Sequence, residues 1–227
     1  MDSWKKYGIE FLSIFIAVIS AFALNNWNDT RKGNIAEEKI LTEIYDGLEK
    51  DLIDINGNVD GHKQGINAVI YFRNLIAKKK VSNDSLAQYY FTLTRNFFLL
   101  QNTSGYETLK SRGLEIIGDD SLRSSIISIY EYEYSILRKL EEAYSEMQFH
   151  EHYFKEINQI LARSFIFDKN KKSIIGIETP LKISKNEEKI LLTYLWKIQT
   201  NRKFTLKCYA QTKEKIEKII KNNQKNR

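Results

Sequence analysis

The change from apolar to polar residues is sharpest near the N-terminus of the chain. Residues 11–24 carry no charge, and their only polar members are two serines. Extended to 8–27, the stretch has twenty residues, which form about 30 Å of helix and match the roughly 30 Å hydrocarbon core of a bilayer. Trp4 and Trp27 flank the stretch, and tryptophan favours the headgroup layer of a membrane. The pattern predicts one transmembrane helix, with Trp4 and Trp27 as interface anchors.

A cleavable signal peptide is the main alternative to a retained anchor. Lys5 and Lys6 precede the apolar stretch, and residues 21–23 (AFA) fit the small-x-small pattern of a cleavage site. Bulky Leu24 follows this pattern directly, and helix-compatible residues continue beyond it. We therefore expect the N-terminal helix to be retained.

One face of the predicted span is lined by small residues. Ser13, Ala17 and Ala21 recur every four residues, a spacing that lets two helix backbones approach closely. Glu10 lies three residues before Ser13, so it falls near the same face. These four residues form a candidate helix-association face, with an ionisable group at its edge. The alternative for Glu10 is an interfacial position with an ion pair to Lys6, one turn earlier.

A long amphipathic helix is predicted from Ile35 to Lys80. Its apolar residues follow steps of three, four and seven, which makes a stripe that a partner helix must cover. The stripe consists of Leu41, Ile44, Leu48, Leu52, Ile55, Val59, Ile66, Val69 and Ile76. Gly57, Gly61 and Gly65 interrupt the pattern. They either form a smooth groove for close packing or break the helix, because each glycine costs up to about 1 kcal/mol relative to alanine.

Four more helices are predicted from apolar periodicity and from N-terminal capping signals. They cover residues 85–100, 106–117, 122–165 and 186–221. Capping boxes begin at Ser85, Ser104 and Ser184, and residues 119–121 supply a further cap. Gly118 is expected to end the short second helix. Only 165–183 lacks helical periodicity, and residues 174–177 within it are predicted to pair as a short β-ribbon.

These elements predict an all-α fold, in which a single N-terminal transmembrane helix precedes an elongated up-down helical bundle with long helices. One proline and ten glycines among 227 residues are few for a loop-rich fold. The predicted domains are a transmembrane anchor with its flanks at 1–33, a helical bundle domain at 34–222 and a basic C-terminal tail at 223–227.

The net charge of +6 is unevenly distributed along the chain. Six basic residues lie close to the C-terminus: Lys213, Lys215, Lys218, Lys221, Lys225 and Arg227. A basic helical end can meet anionic lipid headgroups or nucleic acid. A solvated, fraying C-terminus is the simpler explanation, and we do not expect nucleic acid as a partner.

Little in the sequence points to catalysis. Glu146 and His150 lie four residues apart on the predicted long helix, and an imidazole with one or two carboxylates can hold a metal. The same spacing suits a solvated helix face, and the motifs Glu-x-x-His, H-E-x-x-H and the P-loop do not occur. Cys208 is the only cysteine, which excludes an intramolecular disulfide and a cysteine-based zinc cluster. We predict no catalytic residues and no cofactor, with Glu146 and His150 as weak metal candidates.

Two patches of the sequence carry a family resemblance. The first is ALNNWN at residues 23–28, and the second runs from YETLKS at 106–111 to DSLR at 120–123. Together they resemble an uncharacterised bacterial family, a domain of unknown function found in membrane-anchored helical proteins. The resemblance implies an inner-membrane protein with one N-terminal span, and it implies no enzyme activity, cofactor or catalytic residue.

The side of the membrane depends on the charges that flank the span. Members of the resembled family begin with a longer basic leader, which would direct the helical domain towards the periplasm. Here Lys5 and Lys6 precede the span, and Arg31, Lys32 and Lys39 follow it. The positive-inside rule therefore leaves the side open. The expected location is the bacterial inner (cytoplasmic) membrane, with a single crossing and a periplasmic domain.

Three functional hypotheses follow from these features. The first is a membrane-anchored helical interaction or scaffold protein that forms a homo-oligomer, with the lipid bilayer and an unidentified protein as partners. The alternative is an oligomeric membrane pore or membrane-disrupting effector, with Glu10 and Asn25 lining a ring. The second alternative is a metal-dependent enzyme that uses Glu146 and His150.

Overall fold

The computed structural model describes residues 3–226, with side chains described for Trp4 and for 6–222. The chain is predominantly helical, as the sequence predicts. The α-helices are α1 Ser3–Ile76, α2 Leu86–Leu93, α3 Ser104–Arg112, α4 Asp120–Ile127, α5 Tyr134–Arg138, α6 Phe149–His152, α7 Phe154–Leu161 and α8 Lys185–Asn226, and the strands are β1 Phe165–Phe167 and β2 Ile174–Ile177. The side chains of Lys5 and of the predicted basic tail at 223–227 lie outside the described residues.

Helix α1 is longer than predicted, because it runs without interruption from Ser3 to Ile76. The sequence predicts a separate helix that starts at Ile35 and offers Gly57 as a break. Both Gly33 and Gly57 lie inside α1, and no described atom outside the local helix backbone lies within 4 Å of a Cβ added at either position. Each glycine costs about 1 kcal/mol relative to alanine, yet α1 is continuous through both positions.

Helix α1 ends through a hydrogen-bonded cap rather than at the predicted Lys80. Lys78 adopts a left-handed conformation with φ of 58°. Its backbone N–H donates to the carbonyl of Leu75 at 3.0 Å, and the N–H of Lys79 donates to the carbonyl of Asn74 at 2.9 Å. These two bonds form a Schellman motif, which satisfies carbonyls that the end of a helix otherwise leaves free.

The chain divides into two compact units, of which the first comprises residues 1–46 and 103–123. Its buried hydrophobic side chains are Ile40, Ile44, Tyr45, Tyr106, Leu109 and Ile117. Helix α3 lies close to α1, because a Cβ on Gly105 would come within 2.8 Å of the backbone nitrogen of Ile44. The prediction that Gly118 ends this helix is wrong. The helix ends at Gly113, whose φ is 104°. Residues with a side chain rarely adopt this conformation, whereas glycine adopts it readily.

The second unit comprises residues 47–102 and 124–227. Its core joins the C-terminal part of α1 to α2, α6, α7, β2 and α8, and contains Ala68, Val69, Phe72, Leu75, Leu86, Leu93, Phe149, Ile157, Leu161, Ile177, Leu191, Leu195 and Ile198. Two contacts fix the direction of α8 against α1. Arg73 donates to Gln199 at 2.5 Å, and Lys213 donates to Asn56 at 2.8 Å. Residue numbers rise on α8 as they fall on α1, so the two helices are antiparallel.

The predicted long helix at 122–165 is wrong. After α4 the chain forms a π-helix at Ser128–Glu133, returns to α5, and forms a second π-helix at Lys139–Ala143. It leaves the helical conformation at Tyr144, where ψ is 110°. Each π-helix contains a buried carboxylate, Glu133 in the first and Glu141 in the second. Wider π turns shift the register of the helix, which brings these two acidic residues to the interior.

Helix α2 ends at Leu93, whereas the sequence predicts a helix to Leu100. The following backbone obtains its hydrogen bonds from side chains instead. The N–H groups of Leu99, Leu100 and Asn102 donate to carboxylates at 3.0, 2.9 and 2.9 Å. The acceptors are Glu141, Asp54 and Asp51, in that order. Carboxylates from distant parts of the chain thereby replace the local helical partners.

The predicted caps have mixed outcomes. Ser184 forms its capping box, since its backbone N–H donates to Glu187 Oε2 at 2.8 Å and its Oγ accepts from the Glu187 N–H at 3.2 Å. Asp119 caps α4 as expected, because its Oδ1 accepts from two N–H groups of the first turn. The predictions of capping boxes at Ser85 and Ser104 are wrong. Neither α2 nor α3 has a side-chain cap.

The predicted β-ribbon and final helix are confirmed. Strand β2 pairs in antiparallel register with β1, with Phe165 opposite Ile177 and Phe167 opposite Ile174. Helix α8 begins one residue before the predicted start and extends to Asn226, beyond the predicted end at Lys221.

Candidate functional site

The N-terminal part of α1 exposes every large apolar side chain that it carries. Between 48% and 73% of the surface of each is exposed. These side chains are Ile9, Phe11, Leu12, Ile14, Phe15, Ile16, Val18, Ile19, Phe22 and Leu24. Helix α1 is long and apolar enough to cross a membrane. No residue in its most apolar stretch is buried against the rest of the described chain.

One polar group within this candidate span, the Ser13 hydroxyl, is satisfied locally. Ser13 Oγ donates to the carbonyl of Ile9 at 2.8 Å, inside the same helix. A serine bonded in this way carries no unsatisfied donor into lipid. Glu10, Ser13, Ala17 and Ala21 are all exposed on α1, so the side chains of the candidate association face are free of intramolecular packing. Association through that face stays a prediction.

The end of the span is marked by polar groups and an aromatic ring. The guanidinium carbon of Arg31 lies 5.8 Å from the centroid of the Trp27 ring, within cation–π range. Asn25 Nδ2 donates to Asp29 Oδ2 at 3.0 Å. This amide is engaged within its own helix, and the hypothesis that Asn25 lines a pore stays a prediction. Trp4 is 89% exposed at the other end, and its role as an interface anchor stays a prediction.

The weak metal candidates are not arranged as the sequence predicts. Glu146 lies in a short 3₁₀ turn and His150 in α6, so the helix that would align them does not exist. The His150 ring stacks on Phe154 with centroids 4.7 Å apart. Among the described residues, no group of three or more His, Cys, Asp or Glu side chains is placed to hold a metal ion.

The second unit contains a buried cation that the sequence analysis missed. The side chain of Arg202 on α8 is fully buried. Its Nη2 donates to the carbonyls of Thr92, Leu93 and Arg95 at 3.1, 3.0 and 2.9 Å. The first two carbonyls belong to the C-terminal end of α2, where the helix dipole is negative. Arg202 therefore caps α2 from within the core, and its charge is stabilised by the end of a helix.

His62 on α1 completes the surroundings of Arg202. Its Nδ1 lies 3.2 Å from Arg202 Nη1, and because a guanidinium only donates, Nδ1 accepts and the ring proton is assigned to Nε2. Burial, and secondarily the charge of Arg202, lower the pKa of His62 to about 3. Burial lowers the pKa of Arg202 to about 9, so at neutral pH the guanidinium is charged and the imidazole is neutral.

Close packing holds the guanidinium in place on both sides. Its carbon lies 4.8 Å from the centroid of the Phe149 ring and 5.6 Å from that of Phe97, both favourable cation–π distances. On the α1 side it rests against Gly65, where an added Cβ would overlap the guanidinium itself. Gly65 is thus required for close approach, which agrees with the packing alternative in the sequence analysis.

A small cavity of about 10 Å³ lies beside this cluster. His62, Asn96, Glu141 and Thr205 supply the polar part of its lining. Burial raises the pKa of Glu141, while hydrogen bonds from Tyr209 and from the backbone of Leu99 oppose that change. A cavity of this size holds one water molecule at most. The cluster therefore holds α1, α2 and α8 together and does not accommodate a substrate.

A second buried carboxylate is equally structural. Asp51 on α1 is fully buried and accepts from Asn102 through both the backbone N–H, at 2.9 Å, and the side-chain amide, at 2.6 Å. The hydroxyl of Tyr134 also donates to it. Burial, followed by the negative charge of Asp51, raises the pKa of Tyr134 well above its usual range, which keeps the phenol protonated as the donor.

These buried polar residues leave a signal in the sequence. Arg202 falls on the inward stripe of α8, in step with Leu195, Ile198 and Tyr209. A charged residue on an apolar stripe indicates a buried partner. The sequence pattern does not predict which groups pair with Arg202, because His62 and the α2 carbonyls lie more than one hundred residues away in the chain.

No protein-family model, curated protein or solved structure matches the chain. The resemblance to a bacterial family of membrane-anchored helical proteins stays a prediction, and the function is argued from the residues themselves.

Proposed function

We propose that the protein is a single-span membrane-anchored helical interaction protein that self-associates through its anchor. One observation carries the proposal, namely the continuous exposure of the apolar side chains of residues 9–24. Moving a large apolar side chain out of water is favourable by about 1.5–3 kcal/mol. The ten large apolar side chains of this segment therefore favour a bilayer strongly over water.

The remainder of the chain supplies the interaction domain in this proposal. Its helices form an up-down bundle behind the anchor, and the antiparallel contacts of α1 and α8 support that arrangement. The membrane is taken to be the bacterial inner membrane and the domain to be periplasmic, on the strength of the family resemblance in residues 23–28 and 106–123.

Self-association is proposed to use the face of Ser13, Ala17 and Ala21. Apolar side chains gain nothing from leaving lipid for each other, so helices in a membrane associate where small residues permit close backbone contact. The three residues are exposed on the span, and the Ser13 hydroxyl is already bonded to its own helix. The face can therefore pack against a second copy without stranding a polar group.

Cysteine cross-linking in native membranes tests the proposed seam. In a Cys208→Ser background, Ala17→Cys is compared with Ile19→Cys, which lies roughly 200° around the helix. Oxidation should produce a homodimer from Ala17→Cys at least about fivefold more efficiently than from Ile19→Cys, since disulfides need Cα atoms within about 7 Å. Equal yields, no dimer, or cross-links to other proteins alone would reject self-association through this face.

A further inference from the structure

A groove with three lysines lies where α1 ends, in the second unit. It has a volume of about 420 Å³ and opens to solvent. Lys78, Lys79 and Lys80 form part of its wall, and all three side chains are exposed. Neither the anchor nor the buried cluster around Arg202 contributes to this groove.

The positive charge of the groove is only partly offset by carboxylates among the described residues. None of the three groove lysines forms an ion pair with another described residue. Two acidic residues lie nearby in the sequence, of which one is paired with another lysine and the other keeps its charge while accepting from a neutral hydroxyl. Glu178 pairs with Lys182 at 2.5 Å, and Asp84 accepts from the hydroxyl of Ser82 at 3.1 Å.

The negative end of the α1 dipole explains only in part why three lysines lie together here. Cations are favoured within the last turn of a helix, but Lys78, Lys79 and Lys80 all lie beyond Ile76, where α1 ends. Three like charges in sequence repel one another, so the arrangement favours an anion that all of them can approach.

The groove also offers a positioned neutral donor and an apolar wall. The amide of Asn83 lies against Gly176 of β2, where an added Cβ would sit 3.1 Å from Nδ2. Thr179 adds a hydroxyl, while Val81, Ile177 and Pro180 add apolar surface. The volume exceeds the need of a bare oxyanion and lies in the range of sites for small organic ligands.

From these features we propose that the groove binds a small phosphate ester. The phosphate lies among the ammonium groups of Lys78, Lys79 and Lys80, with the Asn83 amide as an additional donor. Lysine is a common ligand of phosphate because its ammonium group provides a compact charge and three donors. The organic part of the ester lies on Val81, Ile177 and Pro180. The site adds a soluble ligand to a protein whose proposed partners are otherwise lipid and protein.

Isothermal titration calorimetry on the full-length protein in a neutral detergent at low salt tests this site. The probes are inorganic phosphate, glycerol phosphate, AMP and adenosine. AMP should bind with one site per chain and at least about fivefold more tightly than inorganic phosphate, because the base and sugar add apolar contact. Adenosine, which lacks the phosphate, should not bind measurably. Glycerol phosphate binding as tightly as AMP would identify a simple phosphomonoester as the ligand class and would still support the site.

A charge-matched pair of variants distinguishes binding in the groove from non-specific electrostatic attraction to the protein. Lys78→Gln/Lys79→Gln/Lys80→Gln removes three charges from the groove, and Lys169→Gln/Lys171→Gln/Lys172→Gln removes three from the exposed turn between β1 and β2. Each triple variant changes one lysine with a left-handed backbone, Lys78 or Lys171. The first triple should weaken AMP binding at least tenfold and the second less than twofold. Equal weakening, or no binding of any phosphate probe to the unmodified protein, would overturn the proposal.

Discussion

At the scale of single residues, the central feature of the second unit is a buried cation without a carboxylate. A buried guanidinium loses its hydration, which usually requires an opposite charge nearby. Arg202 instead donates to two carbonyls at the end of α2, to the carbonyl of Arg95 just beyond it, and to a neutral His62. The partial negative charge of the helix end and two aromatic rings take the place of a carboxylate.

Removing the guanidinium should therefore be costly. Arg202→Ala leaves a cavity and strands the buried carbonyls that it bonds, and each stranded group costs about 1–3 kcal/mol. We expect a loss of about 3 kcal/mol or more in the free energy of unfolding, measured by denaturant titration in detergent. Thr200→Ala, at an exposed position of the same helix, is the control and should change stability by less than about 0.5 kcal/mol. A similar small change for Arg202→Ala would contradict its capping role.

His62 makes the stability of the protein depend on pH. Its pKa is 6.5 in an unfolded chain and about 3 in the folded protein, so the unfolded state binds more protons between these values. Stability contributed by neutral His62 is complete above pH 6.5 and is lost as pH falls towards 3, by up to about 1.4 kcal/mol per pH unit. Burial raises the pKa of Glu141, and that group acts in the opposite direction.

The variant His62→Gln isolates this dependence, since Glu141 is present in both proteins. Glutamine can still accept a hydrogen bond from Arg202 but does not titrate. The free energy of unfolding, measured between pH 7 and 4.5, should fall less steeply in the variant than in the unmodified protein. Parallel pH profiles would show that His62 is not held neutral in the core.

At the scale of elements, the sequence predicts helices well where apolar periodicity and capping agree. Helix α8 combines a continuous stripe with the Ser184 capping box, and its observed start lies one residue from the predicted one. The predicted helix at 122–165 fails because Glu133 and Glu141 are buried by pairing with distant residues, Lys215 and Tyr209. Local propensity carries no information about such partners.

The three glycines of α1 provide a graded test of helix packing. Gly57 faces open space, Gly61 lies against Phe97, and Gly65 lies against Arg202. Gly57→Ala should stabilise the protein by up to about 1 kcal/mol, because alanine favours the helix. Gly65→Ala should destabilise it by about 1–3 kcal/mol, since overpacking forces a fully buried side chain to move. Gly61→Ala should fall between them, because Phe97 is only partly buried and has more room to move than the fully buried Arg202. Thermal unfolding of the three variants gives the order, and stabilisation by Gly65→Ala would refute the packing of α8 on α1.

At the scale of the whole molecule, the anchor is the feature that the sequence predicts most directly. A run of apolar residues of bilayer length predicts a candidate span without any knowledge of tertiary contacts. The buried cluster of Arg202, His62 and Glu141 is different in kind. Its members come from α8, α1 and the second π-helix, and only the folded chain brings them together. The sequence therefore predicts a helix long and apolar enough to cross a membrane far better than it predicts the contents of the core.

The central claim is that residues 9–24 form a permanent membrane anchor, and membrane retention tests it most directly. Cells that express the full chain are fractionated, the membranes are washed at alkaline pH, and the intact mass of the retained protein is measured. Ile16→Asp/Ile19→Asp places two charges in the span, each costing roughly 2.5–3.5 kcal/mol near a bilayer centre. Ile53→Asp/Ile70→Asp places the same charges at exposed positions of α1 outside the span.

The account predicts that the unmodified protein and Ile53→Asp/Ile70→Asp stay in the washed membranes with their N-terminal segment intact, whereas Ile16→Asp/Ile19→Asp is largely released. A mature chain that begins after Ala23, or an unmodified protein recovered in the soluble fraction without detergent, would contradict it.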